Sequence, residues 1–115
     1  MTESHDPQLL KGVLSVLLLH LLAERESYGY EVVQRLQAAG FTDVLEGSVY
    51  PALSRLQREG HLDTRLVPST SGPARKYYRL TPAGERALAD GHAAWARHIA
   101  GVDAVLSRPL RGDLT

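Results

Sequence analysis

Glu46-Gly47-Ser48-Val49-Tyr50-Pro51-Ala52-Leu53-Ser54-Arg55-Leu56-Gln57-Arg58-Glu59-Gly60-His61-Leu62 has the marks of one short helix. Pro51 needs no backbone donor in a helix's first turn, so the spacing predicts a start close to Ser48, with Gly47 or Ser48 as N-cap. Gly60 stands where helices commonly stop in the left-handed conformation. Val49, Leu53 and Leu56, spaced i, i+4, i+7, share one apolar face. The other face carries Ser48, Tyr50, Pro51, Ser54, Arg55 and Arg58. A small, hydroxyl-rich and basic face suits phosphates and base edges. Alone, the pattern also fits an ordinary amphipathic surface helix, the commoner case. Its neighbours decide between the two.

Upstream, Leu9 to Ala23 is dense in leucine and apolar on almost every side, which predicts a helix buried all round. A small domain can hardly bury such a helix alone. Part of it is therefore expected against a second subunit, with Leu14, Leu17 and Leu18 assigned there; the alternative reading is a central core helix of the monomer. Ser27 is a good N-cap for a second helix over Tyr28–Ala39, whose buried stripe is Val32, Val33, Leu36 and Ala39, with Gly40 as its stop. Tyr28 and Tyr30 stand at its start with hydroxyls for a partner. Gly29 between them fits either a close backbone approach or a merely tolerated glycine. Helix, short link, helix is a helix-turn-helix, whose second helix enters the major groove.

Downstream, the period changes to alternation: Leu62, Thr64 and Leu66 on one strand face, Asp63, Arg65 and Val67 on the other. Residues 68–74 read as a loop, and Arg75-Lys76-Tyr77-Tyr78-Arg79-Leu80 as the return strand. A basic hairpin after a candidate recognition helix is a wing that lies along the DNA backbone or in the minor groove. Thr81 then caps a last helix, with Pro82 in its first turn and Glu85 at the positive end of its dipole. Leu88, His92, Trp95, Ile99, Val102 and Leu106, spaced 4, 3, 4, 3, 4, make a heptad seam flanked by Ala89, Ala93, Ala96 and Ala100. A seam with no later element to cover it points to a homodimer. Residues 107–115 read as a frayed tail and 1–8 as a loose lead-in.

The chain has 115 residues, enough for one small domain, with no net formal charge. The charge is unevenly spread. Residues 1–45 hold three Lys/Arg against six Asp/Glu, and residues 46–80 hold six against three. The positive excess thus gathers on the candidate helix and wing, as an electrostatic footprint requires. No cysteine is present, which excludes disulfides, thiol catalysis and cysteine-ligated metal. Leu9 to Leu22 is too short for a bilayer and is interrupted by Lys11 and His20. A soluble cytoplasmic protein is expected. The histidines, at 5, 20, 61, 92 and 98, show no zinc spacing, and neither a nucleophile elbow nor a phosphate loop occurs. No enzyme, cofactor or metal is expected.

Tyr28-Gly29-Tyr30-Glu31, Gly47 to Leu56 with Glu59-Gly60, and Gly72 to Thr81 with Gly84 together resemble the PadR family of bacterial winged-helix regulators. The resemblance covers roughly residues 9–106, and the single last helix is similar to the family's short branch. It implies a homodimer on a palindromic operator, usually a repressor released by a small molecule. Ala74 departs from the more basic wing of many relatives, which implies weaker phosphate contact there. Trp95 matches an aromatic that, in some short multidrug-responsive members, lines a pore between subunits and stacks on planar ligands.

The expected architecture is α+β, mainly α: a winged helix-turn-helix DNA-binding domain over 1–81, a dimerisation helix over 82–106, and a tail. Tyr28, Tyr30, Ser48, Tyr50, Ser54, Arg55, Arg58, Arg75 and Lys76 are the expected contacts to double-stranded DNA. Leu14, Leu17, Leu18, Leu88, Trp95, Ile99, Val102 and Leu106 are the expected dimer contacts. Trp95 and His92 are the expected contacts to a planar aromatic, drug-like effector. The rival expectation is a dimeric winged-helix protein-interaction module without DNA binding.

Overall fold

Leucines set the position of the first helix, α1 (Pro7–Glu24), in the computed structural model, which describes residues 7–114. Leu14, Leu18, Leu19 and Leu22 fall on one side and enter the core. Two of the expected subunit contacts are thereby corrected. Leu14 is 7% exposed and Leu18 0%, so the chain's own core leaves them no surface for a second subunit. Leu17 is half-buried against that core. The domain covers this helix better than its size suggested, because α1 lies against all three later helices and the last strand. The helix also begins two residues before Leu9, and residues 1–6 of the expected lead-in lie outside the described residues.

Ser27 does not cap the second helix. Ser27–Tyr28 form a short strand, β1, paired antiparallel to Tyr78 and Tyr77. The fully buried Ser27 hydroxyl accepts a 2.9 Å bond from Arg35 Nη1. Helix α2 (Gly29–Ala38) follows, buries Val32, Val33 and Leu36, and leaves Ala39 exposed. Helix α3 (Glu46–Arg58) starts two residues before Ser48. Its first amides are answered by a carbonyl, not by a cap side chain: Ser48 and Val49 donate to Leu45 O at 3.1 and 3.2 Å. Pro51 therefore sits in the helix interior rather than in the first turn. At the other end Gly60 has φ 82°, and His61 N donates to Leu56 O at 2.9 Å, the wrapped C-terminal turn expected there. Val49, Ala52, Leu53 and Leu56 seat α3 in the core beside Leu18 and Val32.

The sheet is three-stranded in the order β1-β3-β2, with β2 at Leu62–Ser69 and β3 at Gly72–Leu80. Leu62 faces Leu80 at its base and Ser69 faces Gly72 at its tip. The expected loop over 68–74 shrinks to residues 70–71. A register shift between Val67 and Ser69 absorbs Pro68, which has no N–H for the ladder, and the strands run on past it. Leu66, expected on one strand face with Leu62, is exposed where the hairpin leaves the core.

Helix α4 (Pro82–Leu106) is capped as expected. Thr81 Oγ1 accepts from Gly84 N at 3.0 Å and donates to Gly60 O at 2.6 Å, so one hydroxyl ties the start of α4 to the end of α3. The first turns of α4 cross α1, where Gly91 meets Val16. Beyond that crossing the helix projects. The radius of gyration is 17.4 Å, against about 13 Å for a compact chain of this length. Arg111–Leu114 form a single 3-10 turn where a frayed tail is expected. The whole is a mainly helical α+β winged helix-turn-helix.

Candidate nucleic-acid interface

One turn of helix is 3.6 residues, so Gly47, Pro51, Ser54 and Arg58, spaced 4, 3, 4, lie in a row along α3. All four are exposed, opposite the buried face. Three of them are small, which lets the helix backbone come close to a partner surface. Pro51 has no N–H, so the Gly47 carbonyl one turn earlier lacks its usual helix donor.

Tyr50 lies on one flank of this row, toward α2. Its ring presses on Gly29, where an added Cβ would come within 2.4 Å of Tyr50 Cε1. Gly29 is thus a site of close approach, the first of the two readings it allowed. Burial raises the Tyr50 hydroxyl's pKa, with a smaller push from the Glu46 carboxylate. At neutral pH it is a protonated donor. Ser48 and Arg55 lie on the opposite flank, toward α1. Arg55 Nη2 donates to Ser15 Oγ, and Arg55 Nε is 4.0 Å from Glu59 Oε2.

The return strand brings the wing's cations to the tyrosines. The Arg75 guanidinium carbon lies 4.4 Å over the Tyr28 ring centroid, and Lys76 Nζ lies 5.4 Å from that of Tyr78. Tyr28 in turn meets Tyr77 edge-on at 5.4 Å. These contacts hold two flexible cations over aromatic faces. A shallow cleft of about 270 Å³ results, lined by Tyr28, Gly29, Tyr30, Tyr50, Arg75, Lys76 and Tyr78. Five of the expected DNA contacts, Tyr28, Tyr30, Tyr50, Arg75 and Lys76, therefore meet in one place. Ser54 and Arg58 stand beside it on the open row, and Ser48 and Arg55 stand apart from it.

The basic residues of the central segment divide by their partners. Arg65 is bonded to Glu26, and Arg79 Nη2 reaches Asp63 Oδ2 at 3.4 Å. The Arg65 bond holds the Glu26 carboxyl below the usual carboxylate range, and Glu26 raises Arg65 in turn. Among the described residues no ion pair ties Arg58, Arg75 or Lys76. The positive charge left unanswered is thus on the α3 row and the wing. The pairing of β1 with the wing was invisible in the sequence, because two residues carry no periodic signal. Ser15 was also missed, since nothing local marks a helix serine as an acceptor for a residue forty positions away.

On α4, Leu88 is half-buried against the core, while Trp95, Ile99, Val102 and Leu106 are exposed. Arg97, His98, Gly101, Val102, Val105 and Leu106 line a groove of about 460 Å³ along its outer half. His92 lies at the crossing with α1, its Nε2 3.0 Å from His20 Nδ1, and is taken up by that contact. Trp95, one turn further, is 43% exposed, with the His98 ring 6.3 Å away. The two expected effector contacts therefore sit in different surroundings. Among the described residues no cluster of three or more His, Cys, Asp or Glu could hold a metal ion, and no helix is long and apolar enough to cross a membrane.

Known proteins share this fold. The model of the transcriptional regulator PadR-like family matches residues 18–90, which takes in α2, α3, the wing and the start of α4. Transcriptional regulator Rv3488 of Mycobacterium tuberculosis is 38% identical over 82 residues, covering 70% of this chain and 73% of the relative. The crystal structure of a PadR-like transcriptional regulator from Bacillus cereus is similar at 39% identity and a TM-score of 0.79, covering 89% of this chain and 99% of that one. A PadR family regulator from Eggerthella lenta is similar at 33% identity and a TM-score of 0.81, over 89% and 88% of the two chains. With a family match that spans α2, α3, the wing and the start of α4, this chain belongs to the PadR-like family of transcriptional regulators.

Proposed function

We propose that the protein is a homodimeric repressor that binds a palindromic operator and is released by a small planar effector. The observation that carries the DNA reading is the convergence of Tyr28, Tyr30, Tyr50, Arg75 and Lys76 beside an open α3 row ending in Arg58. Hydroxyl donors and unpaired cations are the groups that hold a phosphate backbone. Tyr28, Tyr30, Arg75 and Lys76 grip the backbone, and Tyr50, Ser54 and Arg58 enter the major groove. Two such heads in a dimer reach successive major grooves about 34 Å apart.

The dimer reading is supported by the exposed Trp95–Ile99–Val102–Leu106 row, which nothing in the chain covers among the described residues. Contiguous apolar surface of this kind marks an association face. The effector stacks on Trp95 where two such rows meet, and shifts the spacing of the heads by binding one arrangement better than the other.

Fluorescence anisotropy against genomic fragments tests the reading. Tight, sequence-selective binding that weakens steeply with salt is expected. Arg75→Ala lowers affinity at every sequence and reduces the salt slope by roughly 0.9. A chain that binds no fragment selectively refutes the reading. Quenching of the single tryptophan by planar aromatics tests the effector. No quenching by any of them refutes the ligand role of Trp95.

A further inference from the structure

Arg55 was expected on DNA, yet its side chain turns the other way. It precedes Arg58 by three residues, which places it about 60° around the helix from the open row. Its guanidinium donates to Ser15 Oγ on α1, and Glu59 lies 4.0 Å off on its own helix. Its charge is thus partly answered inside the chain, unlike those of Arg58, Arg75 and Lys76.

The next residue of α1 makes the next joint. Val16 meets Gly91 of α4 so closely that a Cβ there would come within 2.8 Å of Val16 Cγ2. Leu14 and Leu18, on either side, are locked in the core. Consecutive residues of one helix therefore hold α3 and α4.

We propose that Arg55 is a positioning residue: its bond to Ser15 sets the angle of α3 against α1, and it governs operator affinity through that bond without touching DNA. The proposal rests on the DNA-binding reading above. A planar guanidinium suits such a joint, because its fixed donors define a direction.

The test uses the full chain and a genomic fragment selected by the wild type. Arg55→Ala and Ser15→Ala are each expected to lower affinity roughly tenfold, and the double variant is expected to be no weaker than either single one. The salt slope of each stays at the wild-type value, whereas Arg75→Ala reduces it. A slope that falls by roughly 0.9 in Arg55→Ala, or wild-type affinity in Ser15→Ala, overturns the proposal. If the wild type selects no fragment, the DNA reading fails instead. The joint is then decided by hydrogen exchange on the free protein. Faster exchange over the last turn of α3 in both variants supports it, and unchanged exchange overturns it. Both side chains are at the surface, and a thermal melt confirms that each variant folds.

Discussion

Replacing Gly29 by alanine separates the site from the fold. The new Cβ would lie 2.4 Å from Tyr50 Cε1, where ordinary contact begins at 3.4 Å. The Tyr50 ring must therefore retreat by about 1 Å. It is 42% exposed, so it can swing outward without disturbing the core. Alanine is also the better helix former, by up to about 1 kcal/mol. The expected outcome is a melting temperature equal to wild type or slightly higher, with operator affinity reduced. A displaced hydroxyl that had bonded to a base edge in the groove costs about 0.5–1.5 kcal/mol, roughly 2- to 13-fold in Kd. Tyr50→Phe should reproduce most of that loss, and adding Gly29→Ala to it should change little, since both act on one group. Anisotropy titration and a thermal melt on the same preparations read the two effects. Unchanged affinity in Gly29→Ala would refute the reasoning, because it would mean that the placement of Tyr50 against α2 does not matter to binding.

Gly84→Ala should behave in the opposite way: its Cβ would lie 2.0 Å from the His61 carbonyl, a backbone atom that cannot swing aside, so a large fall in melting temperature is expected, whereas Gly101→Ala, with nothing within 4 Å, should raise it slightly. Glu26 should titrate below the usual carboxylate range by NMR and return to it in Arg65→Ala. Its folded pKa is lowered, so the pair's contribution to stability is present above the unfolded glutamate pKa and is lost as pH falls through the folded one; an unshifted Glu26 in the wild type would contradict the pairing. Ile99→Asp places a charge on the outer row of α4 and should yield a monomer by analytical ultracentrifugation with the melting temperature little changed; an unaltered assembly state would remove that row from the interface.

Helix ends were legible where a capping hydroxyl or a left-handed glycine marks them. Thr81 with Pro82 marked the start of α4 correctly, and Gly60 marked the end of α3. Ser27 misled, because a serine before a helix can equally be a buried acceptor in a strand. Pro51 misled as well. Its preference for a first turn is statistical, and here the Leu45 carbonyl opens the helix earlier. Leu14 and Leu18 were assigned outward because periodicity alone cannot rank the sides of a helix that is apolar all round.

By itself the sequence determined the order and type of the main elements, the buried faces of α2 and α3, and the basic bias of the central segment. Those properties depend on side-chain period, on capping chemistry and on charge count, all of which are local. Only the tertiary structure decided which groups meet. β1 carries Tyr28 to the wing, Gly29 gives way to the Tyr50 ring, and Arg65 and Arg79 spend their charge on Glu26 and Asp63 while Arg75 and Lys76 stay open. Arg55 meets Ser15 of α1 in the same way. A contact between residues far apart in the chain depends on how the helices and the sheet pack together, and no local pattern of residues encodes that packing.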